Sequence, residues 1–237
     1  MTRELVYGRR PVREVLRAGR RQILELFATE RALASEDWLR ETKGLRVRVE
    51  RESKLNEMAG SREHQGVVAF CEPYRYAEAH DLADGERPLL VCLDQVTDPH
   101  NLGAICRSVD GAGATGVVVT EHKAARVTPA VCRASAGAVE HVRVAVVVNL
   151  ARYLTDVKRG DLWVWAAAGD AATPVWAADF TTGAALVFGA EGRGLRPLVR
   201  KSCDDAFAIP LAGAVESLNV SVAAGVALFE AARQRNG

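Results

Sequence analysis

The chain has no long hydrophobic run. Its longest uninterrupted apolar stretch, 162–168, is about seven residues, far short of the roughly 20 that span a bilayer. No transmembrane helix is expected. Arg9 and Arg10 stand where the apolar part of an export signal would have to sit, so no export signal is visible and the cytoplasm is the expected compartment. Cysteines are few: the five, at 71, 92, 106, 132 and 203, include no C-x-x-C pair and lie mostly in surroundings such as Leu90-Val91-Cys92-Leu93. They read as buried, reduced thiols. The five histidines (64, 80, 100, 122, 141) show neither H-x-x-x-H nor Cys/His ligand spacing, which argues against zinc, and no metal is expected. No internal repeat or low-complexity tract appears. What is present is an ordinary globular composition, 49% hydrophobic and 26% charged over 237 residues, enough to bury a real core.

The net charge of +1 hides an uneven distribution. Residues 1–76 carry 16 Lys and Arg against 12 Asp and Glu, and the remainder carries 15 against 18. The front is therefore the basic end. Residues 9–20 read as a short helix with Pro11 in its first turn and Gly19 near its end, burying Val12, Val15 and Leu16. Arg13, Arg17 and Arg20 line another face, which spacing alone reads either as a positive stripe for phosphates or, more commonly, as a solvated face. Short apolar runs at 22–28, 47–49 and 66–70 suggest a small α/β domain over 1–72. The segment 73–88, with Pro73, Asp84-Gly85 and Pro88, reads as a linker.

From Leu89 onward, to 237, the pattern is regular. Apolar runs at 89–94, 116–120, 142–148, 162–168, 184–189 and 206–210 alternate with helical stretches, which predicts a mainly parallel sheet covered on both faces. Gly111-Ala112-Gly113-Ala114-Thr115-Gly116 matches the dinucleotide fingerprint G-x-G-x-x-G. That fingerprint requires a strand before it and a helix after it, so that a pyrophosphate meets the helix N-terminus. Here a helical stretch precedes the glycines and a strand follows, so they read as a helix stop and turn.

Three segments carry chemistry. In the first, Asp94 to Arg107, a buried strand runs into a helix with Asp98 as cap and Pro99 at its first position. Asn101 and Arg107 lie about 120° apart on an ideal helix, and share one site only if Asn101 sits in the first turn. In the second, Phe188-Gly189-Ala190-Glu191-Gly192-Arg193-Gly194, glycines surround one carboxylate and permit positive φ and close backbone approach. The third runs from Ile209 to Ala223, where Ser217 is a candidate cap for the closing helix. That helix's small residues, Ala223, Ala224, Gly225 and Ala227, permit close packing within the fold or against a second subunit.

Together D-P-H-N-L-G-A-I-x-R, G-A-E-G-R-G-L and I-P-L-x-G-x-V-E-S-L-N-V-S-V-A resemble the three motifs of the SpoU (TrmH-like) RNA 2'-O-ribose methyltransferases. Tyr7-Gly8-Arg9-Arg10-Pro11-Val12 and His64-Gln65-Gly66-Val67-Val68-Ala69 look like the start and end of that family's small L30e-like, RNA-binding domain. The resemblance implies an α/β fold whose C-terminal parallel-sheet (SPOUT) domain is threaded into a trefoil knot, a rare topology. It also implies a homodimer. S-adenosylmethionine is the implied cofactor, held around Gly189, Gly192, Gly194, Ile209, Leu211 and Leu218. The implied catalytic constellation is Asn101, Arg107, Glu191, Ser217 and Asn219, with Arg107 either a base for the 2'-hydroxyl or an electrostatic and positioning group. RNA rather than DNA follows, because DNA lacks the 2'-hydroxyl, and Arg9, Arg13 and Arg17 become expected RNA contacts. Length and front-domain pattern are most similar to the members that methylate a guanosine ribose of bacterial 23S ribosomal RNA. A transfer-RNA guanosine methyltransferase or a resistance-type ribosomal methyltransferase is the alternative, and a catalytically dead RNA-binding protein is disfavoured by the presence of all five residues.

Overall fold

Short apolar runs form the strands, and side-chain caps from Thr29, Asp98 and Asn149 start three of the helices. The computed structural model describes residues 2–42 and 44–236. In chain order the strands are β1 (Glu4–Tyr7), β2 (Ile23–Ala28), β3 (Val47–Val49), β4 (Val67–Cys71), β5 (Leu89–Asp94), β6 (Gly116–Thr120), β7 (Val144–Val147), β8 (Leu162–Ala167), β9 (Thr173–Pro174), β10 (Gly183–Gly189) and β11 (Asp205–Ala208). The helices are α1 (Arg9–Ala18), α2 (Glu30–Ser35), α3 (Asp37–Arg40), α4 (Glu52–Ala59), α5 (Ala79–Ala83), α6 (Pro99–Gly111), α7 (Pro129–Ala134), α8 (Leu150–Val157), α9 (Pro197–Lys201) and α10 (Val220–Asn236). They fall into two units: the residues up to Arg75 together with Arg126–His141, and Tyr76–Ala125 together with the chain from Val142 onward.

In the front unit a four-stranded sheet runs β1-β4-β2-β3, with β4 antiparallel to both neighbours and β3 parallel to β2. Phe27, Leu55 and Val68 form part of its core. Helix α1 ends on Gly19 at φ +62°, whose N–H donates to the Val15 carbonyl. The helix buries Pro11, Val12 and Val15, whereas Leu16, expected on that face, is 37% exposed. The segment 126–141 is held by an ion pair that spacing could not reveal. Arg21 and Glu140 are 5% and 1% exposed, with Arg21 Nε donating to Glu140 Oε2 at 3.0 Å and Nη1 to Glu4 Oε2 at 3.0 Å. Removing one partner of such a buried pair costs about 3–5 kcal/mol, because the other charge is left without compensation.

The second unit is a seven-stranded sheet, β7-β6-β5-β10-β8-β11-β9, with every pair parallel. Its central strands β5 and β10 are buried along nearly their whole length, which is why they read as continuous apolar runs. Ala79, Leu82 and Ala83 of α5, inside the stretch 73–88, are buried in the same core. The glycine fingerprint behaves as its context predicts: α6 ends at Gly111, Gly113 turns at φ +66°, and β6 begins at Gly116. The last helix, α10, packs on α6, burying Ala224, Ala227, Leu228 and Ala231. Its alanines therefore serve packing inside the chain.

Four cysteines are buried and Cys203 is half-buried. Burial pushes the Cys71 and Cys106 thiols up to about 12, so both stay protonated at neutral pH. Among the described residues no helix is long and apolar enough to cross a membrane, and no group of three or more His, Cys, Asp or Glu is gathered as a metal would require.

Candidate active site

In a parallel sheet all strands present their C-terminal ends on one edge, and the loops leaving that edge are the natural place for a ligand. Here β5, β8, β10 and β11 send out the loops after Asp94, Ala167, Gly189 and Ala208. Asp98 caps α6, its Oδ1 accepting from the His100 N–H at 2.8 Å, with Pro99 at the first helical position. Asn101 is thereby fixed in the first turn and is 6% exposed. Its Nδ2 donates to Glu191 Oε1 at 2.9 Å, while Asn219 Nδ2 donates to Asn101 Oδ1 at 2.9 Å and to Glu191 Oε1 at 2.8 Å. One residue from the first turn of α6 and two from loops thus close a hydrogen-bonded triangle.

The remaining oxygen of Asn219 does a different job. Oδ1 accepts from the Ser221 N–H at 2.8 Å and the Ser221 hydroxyl at 2.6 Å, so Asn219 is the cap of α10. This corrects the expectation that Ser217 plays that part. Ser217 is exposed and hydrogen-bonds to no described residue; the helix starts two residues later than a Ser217 cap would require. Arg107 also stands apart from the triangle, exposed and with no hydrogen bond or ion pair to the described residues. The 120° offset on α6 accounts for this, since Asn101 faces inward.

Beside the triangle lies a cleft of about 700 Å³. Of the expected cofactor residues Gly189, Gly192, Gly194, Ile209, Leu211 and Leu218 all line it, with Glu191, Ser217 and Asn219. Gly189 is required by a close approach: a Cβ there would lie 2.1 Å from the Gly194 carbonyl carbon. The close approach is thus to the loop's own backbone, which doubles back through a Gly194 N–H to Ala190 O bond of 2.9 Å. Gly192 and Gly194 turn at φ +73° and +65°. Asp94, 1% exposed, anchors the far side of the loop by accepting from Arg196 N at 2.9 Å and Nε at 2.8 Å. Sequence reasoning missed Asp94 in this part, and also Ala167, Ala168 and Gly169, which line the cleft from the end of β8. Small residues closing the apolar run 162–168, with Gly169 just past it, were the available signal for the latter. Phe188 and Phe207 add apolar wall, edge to face at 6.3 Å.

In the front unit, Arg9 and Arg13 line a second concavity of about 610 Å³ with Arg10, Trp38 and Arg133. Arg9 is already engaged, donating to Glu36 Oε1 at 2.9 Å and to the Gln65 carbonyl at 3.0 Å. Arg17 is outside that concavity, exposed and paired with Glu14 at 3.1 Å.

Two family models match successive stretches of the chain. Residues 88–229 match the SpoU rRNA Methylase family, and residues 5–77 match a family described as RNA 2'-O ribose methyltransferase substrate binding. Among relatives, the 23S rRNA (guanosine-2'-O-)-methyltransferase RlmB of Vibrio cholerae is 41% identical over 99% of this chain and 98% of its own length. The protein of the same name from Ralstonia nicotianae is 42% identical over 98% and 96%. Among solved structures, the SpoU methyltransferase AviRb of Streptomyces viridochromogenes in complex with AdoMet superposes with a TM-score of 0.84, at 29% identity over 98% of this chain and 90% of that one. An AdoMet-bound rRNA methyltransferase of Sinorhizobium meliloti superposes at 0.80, with 26% identity over 98% and 87%. The fold is the SPOUT-type α/β fold, and the chain belongs to the SpoU rRNA methylase family.

Proposed function

We propose that this chain transfers the methyl group of S-adenosylmethionine to the 2'-hydroxyl of a guanosine ribose in 23S ribosomal RNA. The observation that carries the reading is the Asn101–Glu191–Asn219 triangle at the mouth of the cleft. Full-length similarity to proteins named as 23S rRNA guanosine-2'-O-methyltransferases supports the acceptor. The cleft suits the cofactor: Ile209 and Leu211 offer apolar surface to a purine, backed by the buried Phe188 and Phe207, and the glycine loop lines it with backbone groups. When bound, the cofactor supplies an electrophilic methyl group on a sulfonium. The chain's residues then have to align the hydroxyl, a contribution worth about 7–11 kcal/mol in well-oriented reactions, and to guide one proton away.

Asn101 and Asn219 hold Glu191 in one orientation, and Ser217 on the cleft wall is free to meet ligand or ribose. Arg107, exposed on α6, holds the RNA phosphate, for which its planar fork of donors is suited. The front unit, with Arg9, Arg13 and Arg17, contacts the RNA through its phosphates. On the exposed flank of α10, Val222, Val226 and Phe229, at 51%, 39% and 54% exposure, support pairing with a second copy as a homodimer. The work takes place in the cytoplasm. Incubation with labelled S-adenosylmethionine and separate unmodified 23S, 16S and transfer RNAs tests the reading. Label should enter 23S RNA as an alkali-resistant linkage at a guanosine, and label confined to transfer RNA would refute it.

A further inference from the structure

The triangle has a second side. Across Ala190 and Glu191 from the cleft is a separate concavity of about 400 Å³, lined by Gln95, Thr97, Asp98, Asn101, Lys123 and Arg193 among others. The loop after β10 splits between the two: Gly192 and Gly194 line the cleft, whereas Arg193 between them lines the second concavity. Lys123 and Arg193 form no ion pair or side-chain hydrogen bond with the described residues. The carboxylates there are engaged, Asp98 in capping α6 and Glu191 with the two amides. Two residues of this wall, Gln95 and Lys123, hold φ at +61° and +55°, a region non-glycine residues rarely adopt and that clusters at functional sites.

A displacement at carbon requires the incoming oxygen and the leaving sulfur on opposite sides of the methyl group. With the cofactor in the cleft, the acceptor has to reach the methyl group from an adjoining open site, and this concavity adjoins the cleft through the shared lining residues Ala190 and Glu191. We infer that the second concavity is the acceptor-nucleotide pocket, with the ribose hydroxyl directed at the Asn101–Glu191 pair and the adjoining phosphates held by Lys123 and Arg193. This rests on the methyl-transfer reading above and adds the acceptor's position and a role for two residues, Lys123 and, within the second motif, Arg193, to which no part had been given.

Lys123→Ala, Arg193→Ala, the double variant and Lys123→Arg test it, with S-adenosylmethionine affinity measured by calorimetry and RNA affinity and steady-state kinetics followed across a salt series. The double variant should keep cofactor affinity and thermal stability and raise KM for RNA more than it lowers kcat. Its slope of log affinity against log salt should shrink by about 1.4, the loss of two single-strand phosphate contacts. Lys123→Arg should restore most of the Lys123 share. A double variant with wild-type KM and salt slope overturns the inference, as does one whose only defect lies in kcat or in cofactor affinity. Wild-type protein that methylates no RNA would instead remove the functional reading beneath it.

Discussion

Asn219 carries two separable duties. Its oxygen caps α10 and its amide nitrogen holds Asn101 and Glu191. Asn219→Ala removes both, and loss of such a cap costs about 1 kcal/mol. Asn219→Ser keeps a capping oxygen but has no amide to offer. Denaturant unfolding of Asn219→Ser should therefore lie close to wild type while methyl transfer is lost, whereas Asn219→Ala should lose both. Transfer by Asn219→Ser at the wild-type rate would show that the triangle is scaffolding alone. The motif placed Asn219 in the site from sequence, but not its capping role: Ser217 and Asn219 are both good caps, and two residues of register separate them.

At the scale of elements, His64 joins α4 to the turn before β4. The Gly66 N–H donates to Nδ1 at 3.0 Å, so the ring proton sits on Nε2 and is donated to Asn56 Oδ1 at 2.9 Å. Burial holds the imidazole below its ordinary pKa, against the pull of Glu52. The unfolded chain, with a histidine near 6.5, then binds the proton more readily than the folded one. Stability from this group is complete above about pH 6.5 and is lost as pH falls toward the lower folded value. Melting temperatures of wild type and His64→Gln between about pH 7.5 and 5 check this: the variant should melt lower at neutral pH and decline less on acidification. Equal slopes would mean that other groups govern the acid limb. Sequence gave His64 only as a motif letter, because a hydrogen bond to a residue eight positions back leaves no periodic trace.

At the scale of the molecule, the parallel sheet was legible because its central strands β5, β6 and β10 are buried on both faces. The run at 89–94 coincides with β5, and that at 162–168 exceeds β8 by one residue. What escaped was short or non-local. β1 is four residues with one buried side chain, and β9 is two. The placement of 126–141 with the front depends on Arg21 meeting Glu140, 119 positions away. The exposed stripe of α10 gives a prediction at this scale: wild type should sediment as a dimer and Phe229→Glu as a monomer of unchanged helicity, and monomeric wild-type protein would refute the pairing.

The triangle draws on residues 101, 191 and 219, and its last member also starts the final helix. A chain released before that helix is made can have most of its sheet and still lack the closing amide. Competence for methyl transfer therefore arrives late in synthesis: a copy that stops short of Asn219 lacks the amide that closes the triangle.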